Sequence, residues 1–182
     1  MSQTASPLIA NPISACAATL PAAEALLLAA REAVRALLSV KGAVSADLLE
    51  QNQFQAHGLA WMATYVESLR EMQGWATRLQ SEGRFGELES LILQAAFGEY
   101  LSQMAGGIPM NQGEVVRPQD MGVTQAQEST FLFNDAVNVL IRHGNTAAVR
   151  ERIAQLISDN SGAITFGDTG LDETHAMIRE QF

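Results

Sequence analysis

Between Ser45 and Gln80 the chain contains no proline, and its apolar residues recur at helical spacing around most of the circumference. Such a run permits one helix of roughly 35 residues, ~50 Å long at about 1.5 Å per residue. Leu59, Met62, Val66 and Leu69 form one apolar stripe. Trp61, Tyr65, Met72, Trp75 and Leu79 form a second, nearly opposite. A helix apolar on two sides is normally buried between neighbours. The expectation is therefore an all-α bundle built around a long central helix spanning residues 46–80.

Shorter periodic segments flank it. Pro21 suits a first helical position, and Leu27, Ala30, Val34 and Leu37 follow at helical spacing until Lys41-Gly42, read as a helix stop. Ser45 is a good N-cap, with Asp47 in the positive first turn. Ser81 to Arg84 is a short turn, which predicts an antiparallel helix from Glu87 to Ala105, ended by Gly106-Gly107. Residues 106–123 are the least regular stretch, with Pro109 and Pro118. Thr124 and Gln127 spell a capping box for a fourth helix with Phe133, Val137 and Leu140 as its core stripe. Asn145 is read as the cap of a fifth, where Val149, Ile153, Leu156 and Ile157 oppose Arg150, Glu151 and Arg152. About five helices holding roughly two-thirds of the chain are expected.

Composition narrows the function classes. A formal net charge of −9 opposes nucleic-acid binding, which needs a basic stripe against phosphates, and opposes docking on anionic lipid. The apolar run from Ala22 to Leu38 is broken by Glu24, Arg31, Glu32 and Arg35, so no membrane span is expected. One cysteine, Cys16, excludes an internal disulfide and points to a reducing, cytoplasmic compartment.

No set of residues spells an active site. A di-iron bundle needs paired Glu-x-x-His motifs, and only a single Asp172-x-x-His175 comes near; His57 and His143 lack acidic partners at helical spacing. No Gly-x-Ser-x-Gly elbow, Walker loop or Gly-x-Gly-x-x-Gly occurs. Trp61, Tyr65 and Trp75 are either core or a docking surface for another domain, since aromatic anchors concentrate at interfaces. No catalytic, cofactor-binding or metal role is assigned to any residue.

Two stretches resemble the acyl-CoA dehydrogenase family. Leu171-Asp-Glu-Thr-His-Ala-Met-Ile-Arg-Glu-Gln-Phe182 is similar to the first helix of that family's catalytic region. Gln55 to Arg70, with Leu59-Ala-Trp-Met-Ala-Thr64 and Glu67-Ser-Leu-Arg70, resembles a helix of the family's C-terminal bundle, and Glu89 to Gly107 parallels the next helix with its Gly-Gly end. The likeness covers residues 53–123. A bundle-like segment lying ahead of a catalytic start is similar to the N-terminal helical extension of the family members that act on methylsuccinyl-CoA.

In the family a glutamate removes the α-proton of the acyl-CoA while hydride passes from the β-carbon to flavin. Here Ile108-Pro-Met-Asn111 replaces the expected aromatic-glycine segment and Glu114 lies out of register, so the catalytic role is not carried onto Glu114. Residue types and periodicity divide the chain into a mobile tail (1–20), a helical bundle (21–158) and a polar, glycine-bearing linker (159–170), and the resemblance implies that 171–182 is the start of a catalytic domain. The chain then reads as cut in mid-helix. FAD is implied for the parent enzyme, which would oxidise methylsuccinyl-CoA or a related acyl-CoA to the enoyl-CoA, and no cofactor is implied for this fragment. The expected partners are the parent's own catalytic domain and further copies of the chain, with no nucleic acid, membrane or metal. The alternative is a free-standing helical interaction module.

Overall fold

The computed structural model describes residues 7–159 and 173–181. It is an all-α bundle, with α1 Pro12–Ala17, α2 Leu20–Leu38, α3 Ala46–Gln51, α4 Gln53–Ser81, α5 Glu87–Gly106, α6 Gln125–Leu132, α7 Asp135–His143, α8 Ala147–Asp159 and α9 Glu173–Gln181. Two antiparallel hairpins interrupt the helices: β1 Ser39–Val40 with β2 Ala43–Val44, and β3 Ile108–Pro109 with β4 Val115–Val116.

α4 holds the expected central place and shares it with α5. On α4, Met62, Val66 and Leu69 are fully buried against α2 and α5. α5 packs on α1, α4, α6, α7 and α8 and buries Leu91, Leu93, Phe97, Leu101 and Met104 completely. The long helix does not run unbroken from residue 46. At Asn52 (φ −126°, ψ 35°) the chain turns, and the Asn52 side chain donates to the Leu48 carbonyl at 2.7 Å. An amide that satisfies its own helix end competes with helix continuation.

Several local readings are corrected by what the chain does. Lys41-Gly42 is the tight turn of the β1–β2 hairpin rather than a helix stop, with φ of 51° and 84°, the left-handed pair that short hairpins use. Phe133 is not core: it lies 80% exposed, because α6 ends there and Asn134 caps α7 through Oδ1 on the Val137 amide at 3.1 Å. Phe131 takes the core position instead. Thr146 rather than Asn145 caps α8, accepting from the Val149 amide at 3.3 Å. In α8 Val149 is buried, while Ile157 is exposed. The Ser45 cap and the Thr124–Gln127 capping box form as expected.

The irregular stretch 106–123 is packed, not open. Ile108, Val116, Pro118, Met121 and Val123 are buried through the β3–β4 hairpin and a 3-10 turn at Pro118–Met121. Gly58 of α4 makes room for it: a Cβ there would fall 2.5 Å from a methyl of Val116.

The tail reading for residues 1–20 fails from Pro7 onward. Cys16 and Thr19 are fully buried. Gln94 of α5, also fully buried, donates to the Pro7 carbonyl at 3.0 Å and accepts from the Ile9 amide at 3.0 Å. Gln73 of α4 donates to the Ile13 carbonyl at 3.2 Å. This apolar N-terminal chain was used to complete the core. It also changes the membrane arithmetic: Pro12–Leu38, 27 residues, contains an 18-residue window with a mean hydropathy of 1.7 and is long and apolar enough to cross a bilayer by length and composition. Starting the count at Ala22, where four charges fall, hides this. In the bundle, Ala23, Leu26, Ala30, Val34 and Leu38 face the core, and Glu24 accepts from Arg70 of α4 at 2.8 Å. The expected linker (159–170) lies outside the described residues apart from Asp159. Of the expected catalytic start, α9 is described, with Met177 54% and Ile178 49% exposed.

α8 is tied back by one ion pair. Arg152, expected on the solvent side, makes a two-pronged contact to Glu87 at the start of α5, at 2.8 and 2.7 Å. The guanidinium holds the Glu87 carboxyl below its ordinary value of 4.5. A carboxyl whose folded pKa is depressed stabilises the fold above that ordinary value, and the contribution is lost as pH falls through the lowered one. Both side chains are over a third exposed, so the effect is small. Arg152→Ala should lower Tm at pH 7 by at most about 2 °C. The difference should shrink in high salt and fall away as the pH drops below the ordinary carboxylate range, as read by thermal melts of the two proteins across pH.

Candidate functional site

The aromatic stripe of α4 lies along its seam with α5. Tyr65 is buried, 7% exposed, while Trp61 and Trp75 are half-buried. The Tyr65 ring stacks on Tyr100 of α5 with centroids 4.4 Å apart, and Trp61 meets Tyr65 edge-on at 6.3 Å. Trp61 Nε1 donates to His57 Nε2 at 2.9 Å, one helical turn back. Farther along, Trp75 packs edge-on against Phe85 at 6.4 Å. Spacing of three and four residues along α4 lines these rings up, and α5 supplies the facing surface. The stripe is thus mostly interhelical packing with two partly open rings.

A polar chain runs beside it. Tyr65 Oη donates to Gln103 Oε1, and Asn145 Nδ2 donates to the Glu99 carboxylate at 2.7 Å. Burial, then the neighbouring Tyr100 and Glu99, raise the Tyr65 pKa, so the phenol stays neutral and serves as a donor. The network locks α4, α5 and the α7–α8 junction in register.

Two surface clefts of similar size lie among the described residues. One of about 470 Å³, lined by Ser68, Met72, Trp75, Arg78 and Tyr100 among others, follows the α4–α5 seam. Another of about 480 Å³, lined chiefly by Ala22, Ala25, Leu28, Ala29 and Phe131, lies between α2 and α6. The second is mainly apolar, with Glu32, Gln127, Thr130 and Asn134 as its polar lining.

Other candidate chemistry is dispersed. Cys16 is fully buried, and burial pushes its thiol up to about 12, so it is no nucleophile at neutral pH. His57 sits on α4, His143 in the last turn of α7 and His175 on α9. Among the described residues no three His, Cys, Asp or Glu side chains gather where a metal could be held. Glu114 lies exposed in the β3–β4 turn, where the Asn111 side chain accepts from its amide at 3.0 Å.

Sequence reasoning missed two contacts that fix the bundle. Gln94 stands in the apolar run Leu91-Ile-Leu-Gln-Ala-Ala-Phe97, and a lone amide there is itself a signal of a buried hydrogen-bonding task. The second is the crossing of Gly98 and Gly144, whose Cα atoms come so close that a Cβ on either would sit 2.9 Å from the other. Neither glycine stands out from the sequence alone.

With the bundle in place, its likeness can be stated: over nearly all of its length the chain is similar to part of an acyl-CoA dehydrogenase. The relative is (2S)-methylsuccinyl-CoA dehydrogenase of Cereibacter sphaeroides, 50% identical over 179 residues, which are 98% of this chain and 32% of that protein. The chain thus spans about a third of the length of the curated relative it matches. No family model matches the sequence. The resemblance carried by Gln55–Arg70 and by the last twelve residues is borne out at this level.

Proposed function

We propose that the chain is the accessory, N-terminal helical domain of a flavin-dependent acyl-CoA dehydrogenase whose complete form oxidises methylsuccinyl-CoA or a close relative to the enoyl-CoA. The observation that supports this reading is the 50% identity extending over 98% of the chain while taking in only 32% of the dehydrogenase. Identity spread over the whole bundle is what a conserved module of a longer enzyme would leave. In that enzyme FAD would take the hydride from the β-carbon and a glutamate outside these residues would take the α-proton.

We read no flavin site into the described residues. A dinucleotide needs backbone amides and cations around its phosphates. Here the N-termini of α3, α6 and α7 are occupied by Ser45, Thr124 and Asn134, and the clefts are lined mainly by apolar side chains. The bundle's task would be assembly or shielding, with the catalytic body of its own chain and further copies as partners, in the cytoplasm. Neither nucleic acid, membrane nor metal enters this reading.

The test is to express the complete product of the coding sequence and assay methylsuccinyl-CoA oxidation with an artificial electron acceptor. Activity is expected. A coding sequence with no dehydrogenase body beyond Phe182, or a complete product inert toward every acyl-CoA offered, would sink the reading.

A further inference from the structure

Large apolar side chains crowd the surface in one stretch, Leu37 to Phe54. Val44 is 65% exposed, Val40 54%, Leu37 42%, Leu49 41% and Phe54 36%. They come from the end of α2, the β1–β2 hairpin, α3 and the start of α4, and α3 packs on both α2 and α4. Between Leu37 and Ala46 the only charge is Lys41, although the chain is 17% charged. Interface cores show this loss of charge.

The hairpin sharpens the point. Ser39 pairs with Val44 and Val40 with Ala43, so cross-strand partners share a face and the two valines show on opposite faces. A two-stranded hairpin by itself is marginal in water. This one is nevertheless closed by a turn with two left-handed residues, Lys41 and Gly42, and presents apolar surface on both sides. Cover from outside the bundle would resolve both costs.

We infer that this hairpin knuckle is a docking surface for the remaining polypeptide of the longer protein, inserted into its catalytic body. The inference rests on the function proposed above. The occupant is argued from length: the related dehydrogenase has 68% of its residues beyond the matched part (the remainder of 100% after 32%), enough for a body larger than this bundle. A second copy of the bundle is the competing occupant, and the concentration arm of the test below separates it.

Hydrogen exchange decides it, comparing peptides over residues 39–46 in the 182-residue chain and in the complete coding product. The exposed turn 111–114 serves as the internal control. Docking predicts exchange at 39–46 slowed by about tenfold or more in the complete product, with the control unchanged. Equal rates at 39–46 in both proteins would overturn the docking while leaving the function standing. Protection in the 182-residue chain that grows with concentration would also overturn it, by showing a second copy on the hairpin. A coding sequence without a dehydrogenase body would remove the function and the docking together.

Discussion

Gly144→Ala is expected to destabilise the bundle by about 3 kcal/mol, toward the upper end of what forced overpacking costs. The backbone there is ordinary (φ −67°, ψ −45°), so alanine brings no conformational strain. The cost is steric. A Cβ would lie 2.5 Å from the Gln94 carbonyl oxygen, 2.6 Å from that of Leu140 and 2.9 Å from the Gly98 Cα. All three are backbone atoms, which cannot swing aside as a flexible side chain can. α5 and α7 would have to separate at their closest approach, next to the fully buried Phe97 and Leu140. For a chain of this size Tm should drop by roughly 6–12 °C. Gly98→Ala should behave alike, its Cβ meeting the Asn145 amide nitrogen at 2.8 Å. Gly106→Ala is the matched control, since nothing lies within 4 Å of a Cβ there. In that helical position it should be neutral or stabilising by up to about 1 kcal/mol. A Gly144→Ala protein melting with the wild type would mean that α5 and α7 do not cross at these glycines.

Gln94→Leu should release the N-terminal strap and cost about 2–3 kcal/mol. Burying leucine in place of the amide costs little by itself, because the shapes are close. What is lost is the pair of bonds to Pro7 and Ile9, and a weaker one to the Gly144 carbonyl at 3.5 Å. An unsatisfied buried partner costs about 1–3 kcal/mol, and the strap avoids that penalty only by leaving. Limited proteolysis should then cut near Ala10–Asn11 at protease concentrations that leave the wild type whole. Proteolysis indistinguishable from wild type would show that α1 holds the strap without Gln94.

Helix existence was legible because it follows from local rules. Ser45 and the Thr124–Gln127 box announce helix starts through their own side chains, and the Met62–Val66–Leu69 stripe announces burial through its period. The errors came where two signals competed at one place. Lys41-Gly42 fits both a helix end and a hairpin turn, and only Val40 and Ala43-Val44 on either side favour the second. Phe133 continues the helical period, but Asn134-Asp135 restarts a helix and turns the ring outward. Asn52 broke a helix that periodicity alone carried through. The N-terminal segment failed differently: Pro12 at a helix start and the apolar positions through Cys16 were readable, but their burial depends on Gln94 and Gln73, more than 50 residues away. The dehydrogenase relation was not legible from physics at all. It came from the likeness of particular strings such as Leu59-Ala-Trp-Met-Ala-Thr64.

The central claim is that this bundle belongs to a flavoenzyme without carrying its chemistry. The most direct measurement is the visible absorption spectrum of the purified 182-residue chain beside that of the complete coding product, each then mixed with methylsuccinyl-CoA and an electron acceptor. The account predicts a colourless, inactive chain and a yellow complete product that reduces the acceptor. A 182-residue chain that purifies with stoichiometric flavin, or that bleaches bound flavin on adding the acyl-CoA, would contradict it.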